Sequence, residues 1–433
     1  MNVRFSHNFL KVLGGTGTAQ ILNLFSSCVV SWFFQPVVVG GASVVNAAIT
    51  SLGCFASLRY NQAILLPRRN SEAGNLIRLS LWIGAVFSFL VLILGLLSYH
   101  LWAPSLKIPL HWTTLLLIPL GVFMVAWFNV MSSLSNRMNR FGIFSVSRIW
   151  LSVAKFILIL LFGAFLWQGE KALVIANIAG LLAAIVFLWK RMARERMLCR
   201  GLDMNLKKYA LLMKKNREFP LFSAPVVLLT DLEASAPLYL FAFYYNPELV
   251  GQFAFGYAIL RVGTAFLADS FRRVFFVKLI QMKNNRIPCS SFVFRLMGIS
   301  TLLLTLIYGT FYLCGEQIFL FFFRDKWAMA GSLTVLLSLL MAFYALAEGM
   351  QPVFVVLNRQ HQLFHLKIIG TLITVVGLGL ALRKEIAICD ALVFFSILGC
   401  FSKSFIIFLV VWNVRIHDRL LSMNQGTKHE KTP

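Results

Sequence analysis

Residues 33–67 read FFQPVVVGGASVVNAAITSLGCFASLRYNQAILLP, and a weaker copy of the pattern returns at residues 244–278 as YYNPELVGQFAFGYAILRVGTAFLADSFRRVFFVK. Aligned without gaps, the two share paired aromatics, an amide, a proline and a glycine four residues further on: Pro36 with Gly40, and Pro247 with Gly251. Each continues as a long apolar run closing on arginine, at Arg59 in the first copy and at Arg272 and Arg273 in the second. A parallel duplication in so apolar a chain points to a transporter whose two halves enclose a central cavity.

The composition excludes a soluble globule. Of 433 residues, 59% are hydrophobic and 13% charged, and the mean hydropathy is +0.79, which leaves too little polar surface to face water. The formal charge of +24 would suggest nucleic acid in a soluble protein; here the bases fall between apolar segments and set orientation instead. Seven cysteines without a C-x-x-C pair suggest neither a zinc site nor a disulfide framework, and the histidines show no metal-ligand spacing. Arg4 and Lys11 precede a Gly-rich apolar run, as in a signal peptide, but no small-residue cleavage site follows, so a retained first helix is expected.

Crossing the hydrocarbon core takes about 20 apolar residues. Twelve such segments centre near residues 23, 51, 87, 124, 155, 181, 231, 262, 301, 344, 372 and 399. With the N-terminus inside, external connections hold six bases (Lys107, Lys171, Arg324, Lys326, Arg383, Lys384), while internal connections and termini hold 24. That bias places both termini in the cytoplasm. Ten of the internal bases crowd into Lys190–Arg217. The expected organisation is an N-terminal lobe at 1–189, a basic cytoplasmic linker at 190–218, a C-terminal lobe at 219–411 and a tail at 412–433. The linker reads as topogenic, with anionic headgroups as a further binding option.

Ten bases lie inside the expected helices. Arg78, Arg148, Arg295 and Lys367 are near cytoplasmic ends, where they can snorkel to the headgroups. Arg59, Lys155, Arg261, Arg272, Arg273 and Lys403 lie deeper, where each costs roughly 2.5 to 3.5 kcal/mol at helix centre. Such charges persist by facing water, a carboxylate or a bound anion, so a hydrated cationic cavity is expected. The helix-embedded acids, Asp231, Glu233, Asp269, Glu348 and Asp390, all fall in the second half. Asp231 is read as a partner for Arg261, and Asp269 for Arg272 or Arg273 along its own helix. Asp231, Asp269 and Glu348 are the candidates for counter-ion or coupling roles, with H+ or Na+ as the candidate ion. Glu233, two residues from Asp231, points to the opposite face. The run Glu348-Gly349-Met350-Gln351-Pro352 reads as a kink that serves either as a gate or as a capped structural break.

No G-x-S-x-G, Walker loop or metal cluster appears, so the chain does not read as an enzyme and no cofactor is expected. Gly14 to Gly17 (GGTG) superficially matches a phosphate loop, but without a preceding strand close helix packing explains it better.

At residues 58–80, LRYNQAILLPRRNSEAGNLIRLS, the chain resembles the Wzx-type O-antigen flippases, polysaccharide transporters of the multidrug/oligosaccharidyl-lipid/polysaccharide exporter superfamily. Arg59, Tyr60, Ala63, Ile64, Leu66, Pro67, Glu72, Ala73, Asn75 and Leu76 fit the family pattern. So do Gly17, Thr18, Ala19, Gln20, Pro36 and Gly40 upstream, and Pro237, Gly251, Arg261 and Phe275 downstream. Trp327, Ala330 and Gly331 match a W-x-x-A-G element, and the likeness runs through Pro352 to Asn358, Arg359 and Gln360. Two departures stand out: Ser31 and Trp32 occupy a usual T-R, and Asn61 replaces a usual Glu, as though a mutually neutralising base and acid had been lost together.

The resemblance implies an undecaprenyl-pyrophosphate-linked oligosaccharide as cargo, moved from the cytoplasmic to the periplasmic leaflet of the bacterial inner membrane by alternating access. It also implies membrane lipids, a polysaccharide polymerase and chain-length machinery as partners, and no nucleic acid. The six deep bases would then meet pyrophosphate and acidic sugars. A drug/cation antiporter of the same superfamily is the first rival, although the excess of bases over acids favours anionic cargo. A polysaccharide polymerase is the second, and the long arginine-bearing external loop of such enzymes is missing. A lipid II flippase is a closer cousin; the R-Y and W-x-x-A-G elements favour the O-antigen type.

Overall fold

The computed structural model describes residues 3–67, 69–102, 107, 112–192, 206–285 and 287–429, and every regular element among them is helical. In chain order these are α1 (Val3–Phe33), α2 (Pro36–Ala56), α3 (Tyr60–Ala63), α4 (Asn70–Trp102), α5 (Trp112–Leu115), α6 (Leu117–Arg137), α7 (Phe141–Leu161), α8 (Glu170–Met192) and α9 (Leu206–Lys215). They continue with α10 (Ala224–Tyr244), α11 (Pro247–Asn284), α12 (Ser290–Phe323), α13 (Ala328–Met350), α14 (Pro352–Val356), α15 (Gln360–Leu382) and α16 (Ile388–His429).

Eleven segments among the described residues are long and apolar enough to cross a bilayer, and they match the expected centres from residue 51 to residue 399. The remaining centre, near residue 23, falls in α1. The chain is a multi-pass membrane protein of about twelve spanning helices. Its outer faces carry the apolar side chains that lipid requires: Leu94, Leu97, Leu302, Leu306, Phe321 and Phe401 are all more than 60% exposed, a surface that water would not tolerate.

The residues group into two compact units, Met1–Ala254 and Phe255–Pro433. Helix α10 packs on α2 and so falls in the first unit, beyond the basic 190–218 stretch. Of that stretch, residues 193–205 lie outside the described residues. The part that is described includes α9, whose Leu212 is buried and whose Lys215 pairs with Glu72. In the second unit, Trp327 of the W-x-x-A-G element is fully buried with its ring centroid 4.1 Å from that of Phe255. That element is helix packing.

The two sequence copies have different backbones. Both open on proline at a helix start, where the missing N–H has no intrahelical carbonyl to lose. The second copy then runs unbroken as α11 for 38 residues. The first breaks after Ala56: Leu58 and Arg59 take φ of 44° and 61° before α3 begins. Two consecutive left-handed residues that are not glycine store strain.

The copies also meet each other. The first turns of α2 and α11 cross so tightly that a Cβ on Gly251 would lie 1.8 Å from the Pro36 carbonyl oxygen, and one on Gly40 would lie 2.9 Å from the Gly251 amide nitrogen. Two glycines at matched repeat positions are what this approach requires.

The fold separates the two positions that depart from the resembled pattern. Trp32, half exposed, precedes α2, and Asn61 follows it. The 21 residues of α2 span about 30 Å at 1.5 Å each. A base and an acid at these positions would therefore sit at opposite ends of a helix, and mutual neutralisation does not account for their joint absence. Asn61 instead closes a neutral network, accepting from Ser57 Oγ at 3.1 Å and donating to Ser133 Oγ at 3.4 Å.

Candidate functional site

Helix α7 shows how the chain holds a charge inside the membrane. Its exposed apolar residues Val146, Trp150, Ile157 and Leu161 recur at helical spacing and form one lipid-facing stripe. At about 100° per residue, Lys155 falls nearly opposite that stripe, together with Arg148 and the buried Ser152. The Lys155 stem lies against α8: a Cβ on Gly180 would come 2.8 Å from the Leu151 carbonyl oxygen and 3.3 Å from the Lys155 Cβ. No described residue gives the Lys155 ammonium a hydrogen bond or a carboxylate. An ammonium left unpaired inside the membrane is costly.

Polar groups flank that position within the first unit. Asn177, three residues before Gly180 on α8 and hence on the same face, donates to Asn46 Oδ1 of α2 at 2.9 Å. Ser152 Oγ donates to Asn23 Oδ1 of α1 at 3.5 Å. Farther along α2, Ser51 and Tyr239 share a hydrogen bond at 3.3 Å. Cys54 on the next turn lies within electrostatic reach of both Asp231 and Arg59, and beside Asn129.

Both of those charged residues have atoms without partners. The Arg59 Nε and the Asp231 Oδ2 are buried and make no hydrogen bond among the described residues. Burial works against the charged form of Arg59 and lowers its pKa from the ordinary value. Asp231 and Arg261, read together from the sequence, fall in different compact units; the neighbours described for Asp231 are Cys54 and Tyr239.

The second unit arranges its charges differently. Lys403 is only 2% exposed, with its ammonium 4.7 Å from the Tyr344 ring centroid. Glu348 bonds the Lys367 ammonium at 3.3 Å and also feels Lys403 and Arg272. Lys367 is therefore an internal ion-pair partner, 6% exposed, and does not snorkel. Lys403 is enclosed beside Glu348 and Tyr344, so it is not presented as an open cavity cation. Glu348 acts as their counter-ion, one residue before Gly349 and four before the Pro352 break between α13 and α14. Arg261 is exposed and lies over the Tyr257 ring at 5.7 Å, and Arg272 is also exposed. The side chains of Asp269 and Arg273 lie outside the described residues.

Removing one partner of a buried ion pair leaves the other uncompensated, at a cost of about 3 to 5 kcal/mol. Glu348→Ala is accordingly expected to lower the unfolding temperature of the detergent-solubilised protein far more than Glu348→Gln, which can still accept a hydrogen bond from Lys367. Equal melting of the two variants would remove Glu348 from this role.

No family model matches the chain, and no curated protein sequence matches it. Solved structures do. A lipid II flippase MurJ in an inward closed conformation superposes with a TM-score of 0.74 at 11% identity, covering 97% of this chain and 92% of that one. A MOP superfamily transporter from Pyrococcus furiosus, described as having a binding pocket of reverse polarity, gives 0.62 at 14% identity with 95% of each chain covered. An inward-facing multidrug resistance MATE family transporter gives 0.60 at 14% identity, covering 98% of this chain and 96% of that one. The chain thus has the fold of the MOP superfamily transporters. Of these three, the MurJ structure superposes with the highest TM-score.

Proposed function

We propose that this protein is a flippase that moves a polyprenyl-pyrophosphate-linked oligosaccharide, of the O-antigen or a similar surface polysaccharide, from the cytoplasmic to the periplasmic leaflet. The observation that carries the proposal is Lys155: a base held inside the first unit, turned from lipid, with no carboxylate among the described residues to neutralise it. A pyrophosphate offers the anionic oxygens such a group binds, and the half-buried amides Asn46 and Asn177 suit sugar hydroxyls. The likeness to the MurJ fold supports a lipid-linked cargo. The prenyl tail stays in lipid while the polar head crosses, by alternating access between two six-helix halves with both termini in the cytoplasm.

A second reading, a drug/cation antiporter, is favoured by the unpartnered Asp231 oxygen and by the likeness to MATE folds. On the flippase reading the same carboxylate serves a coupling cation, H+ or Na+. Cells lacking the protein are expected to accumulate single lipid-linked repeat units that a periplasmic sugar-modifying probe on spheroplasts fails to reach. Accumulation on the accessible side would instead identify polymerisation as the missing step, and no accumulation would promote the antiporter.

A further inference from the structure

The start of α12 and the later turns of α16 bring Cys289 beside the consecutive residues His417 and Asp418, with 129 positions between Cys289 and Asp418 in the sequence. Asp418 accepts from two successive backbone amides, Cys289 N to Oδ1 at 2.8 Å and Ser290 N to Oδ2 at 2.7 Å. This caps α12, whose first amides have no intrahelical acceptor. The cap holds the Cys289 thiol near the preceding residue on α16, His417, and one ligand atom each from Cys289, His417 and Asp418 lies within 4.8 Å of the other two. Cys289 is 1% exposed, and His417 Nε2 is buried without a hydrogen bond among the described residues.

We propose that Cys289, His417 and Asp418 form a binding site for one divalent transition-metal ion of zinc-like preference. The set is a thiolate, an imidazole and a carboxylate, borderline-soft ligands that select zinc over calcium or magnesium. Their spacing needs to close by about 1 Å to reach tetrahedral ligand separations around bonds of about 2.0 to 2.3 Å. Each Asp418 oxygen keeps a lone pair beyond the one its amide uses, and water completes the fourth position. As the metal–sulfur bond forms, the thiol proton passes to solvent, so thiolate and carboxylate together balance the dication. Lys283, near enough to His417 to interact electrostatically, is engaged with the Val356 carbonyl and adds one opposing charge. The ion would tie the α11–α12 turn to the last helix within the second unit.

The test is Co2+ titration of the detergent-solubilised full chain, purified without a polyhistidine tag. The expected result is one Co2+ per chain with a thiolate-to-cobalt charge-transfer absorption, displaced by Zn2+. The absorption is expected to vanish in Cys289→Ser and to weaken at least tenfold in affinity in His417→Gln, while Cys314→Ser, which alters an exposed thiol of α12, leaves it intact. Absence of the absorption from the wild-type chain would overturn the site whatever the variants do, and so would its persistence in Cys289→Ser.

Discussion

Lys155→Ala is expected to reduce delivery of lipid-linked repeat units to the periplasmic leaflet by roughly ten- to a hundredfold, with the protein still inserted and folded. The magnitude is that of a hydrogen bond to a charged group, about 1.5 to 3 kcal/mol. The fold is expected to survive because Lys155 has no ion pair to lose among the described residues, and removing a base from a membrane interior lowers its insertion cost. A variant that melts as high as the wild type while transport fails separates cargo binding from stability. Lys155→Arg should retain more activity, since it keeps the charge. Arg261→Ala is the parallel test in the second unit. Normal surface polysaccharide in both alanine variants would remove these bases from the cargo site.

The spanning helices were legible because length and apolarity alone decide what crosses a bilayer. Lys155 was read from depth alone; the apolar stripe of α7 that shows which way it faces comes from the exposures of Val146, Trp150, Ile157 and Leu161 in the structure. Depth along a helix was a poorer guide. Lys367 lies near a helix end and reads as a snorkelling residue, yet its azimuth turns it onto Glu348. Lys403 reads as a deep cavity cation and is enclosed for the same reason. Distance along the helix reports depth; only packing reports direction. The left-handed pair at Leu58 and Arg59 had no local sign, because neither residue type prefers that conformation. The grouping of Cys289 with His417 and Asp418 escaped any spacing rule, since the ligands come from two helices more than 100 residues apart, as the 128-residue separation of Ser290 and Asp418 shows.

The duplication itself leads to the second large effect. Gly251→Val is expected to abolish transport and to cost more than the about 1 to 3 kcal/mol usual for overpacking, because the new Cβ would lie 1.8 Å from a backbone oxygen, that of Pro36. A side chain in the way could rotate, whereas a carbonyl at a helix start moves only with its helix. Gly40→Ala meets backbone at 2.9 Å and should be milder, in that order, by thermal unfolding in detergent. Gly309→Ala and Gly379→Ala, with nothing within 4 Å of the added carbon, should be neutral or slightly stabilising through helix propensity. That ranking distinguishes the crossing from a general intolerance of substitution in membrane helices. If Gly251→Val melted and transported like Gly309→Ala, the matched glycines of the two copies would be a relic of duplication with no continuing role. If the order holds, the Pro-x-x-x-Gly element has been kept in both copies for a physical reason: each copy supplies the bare backbone on which the other is packed.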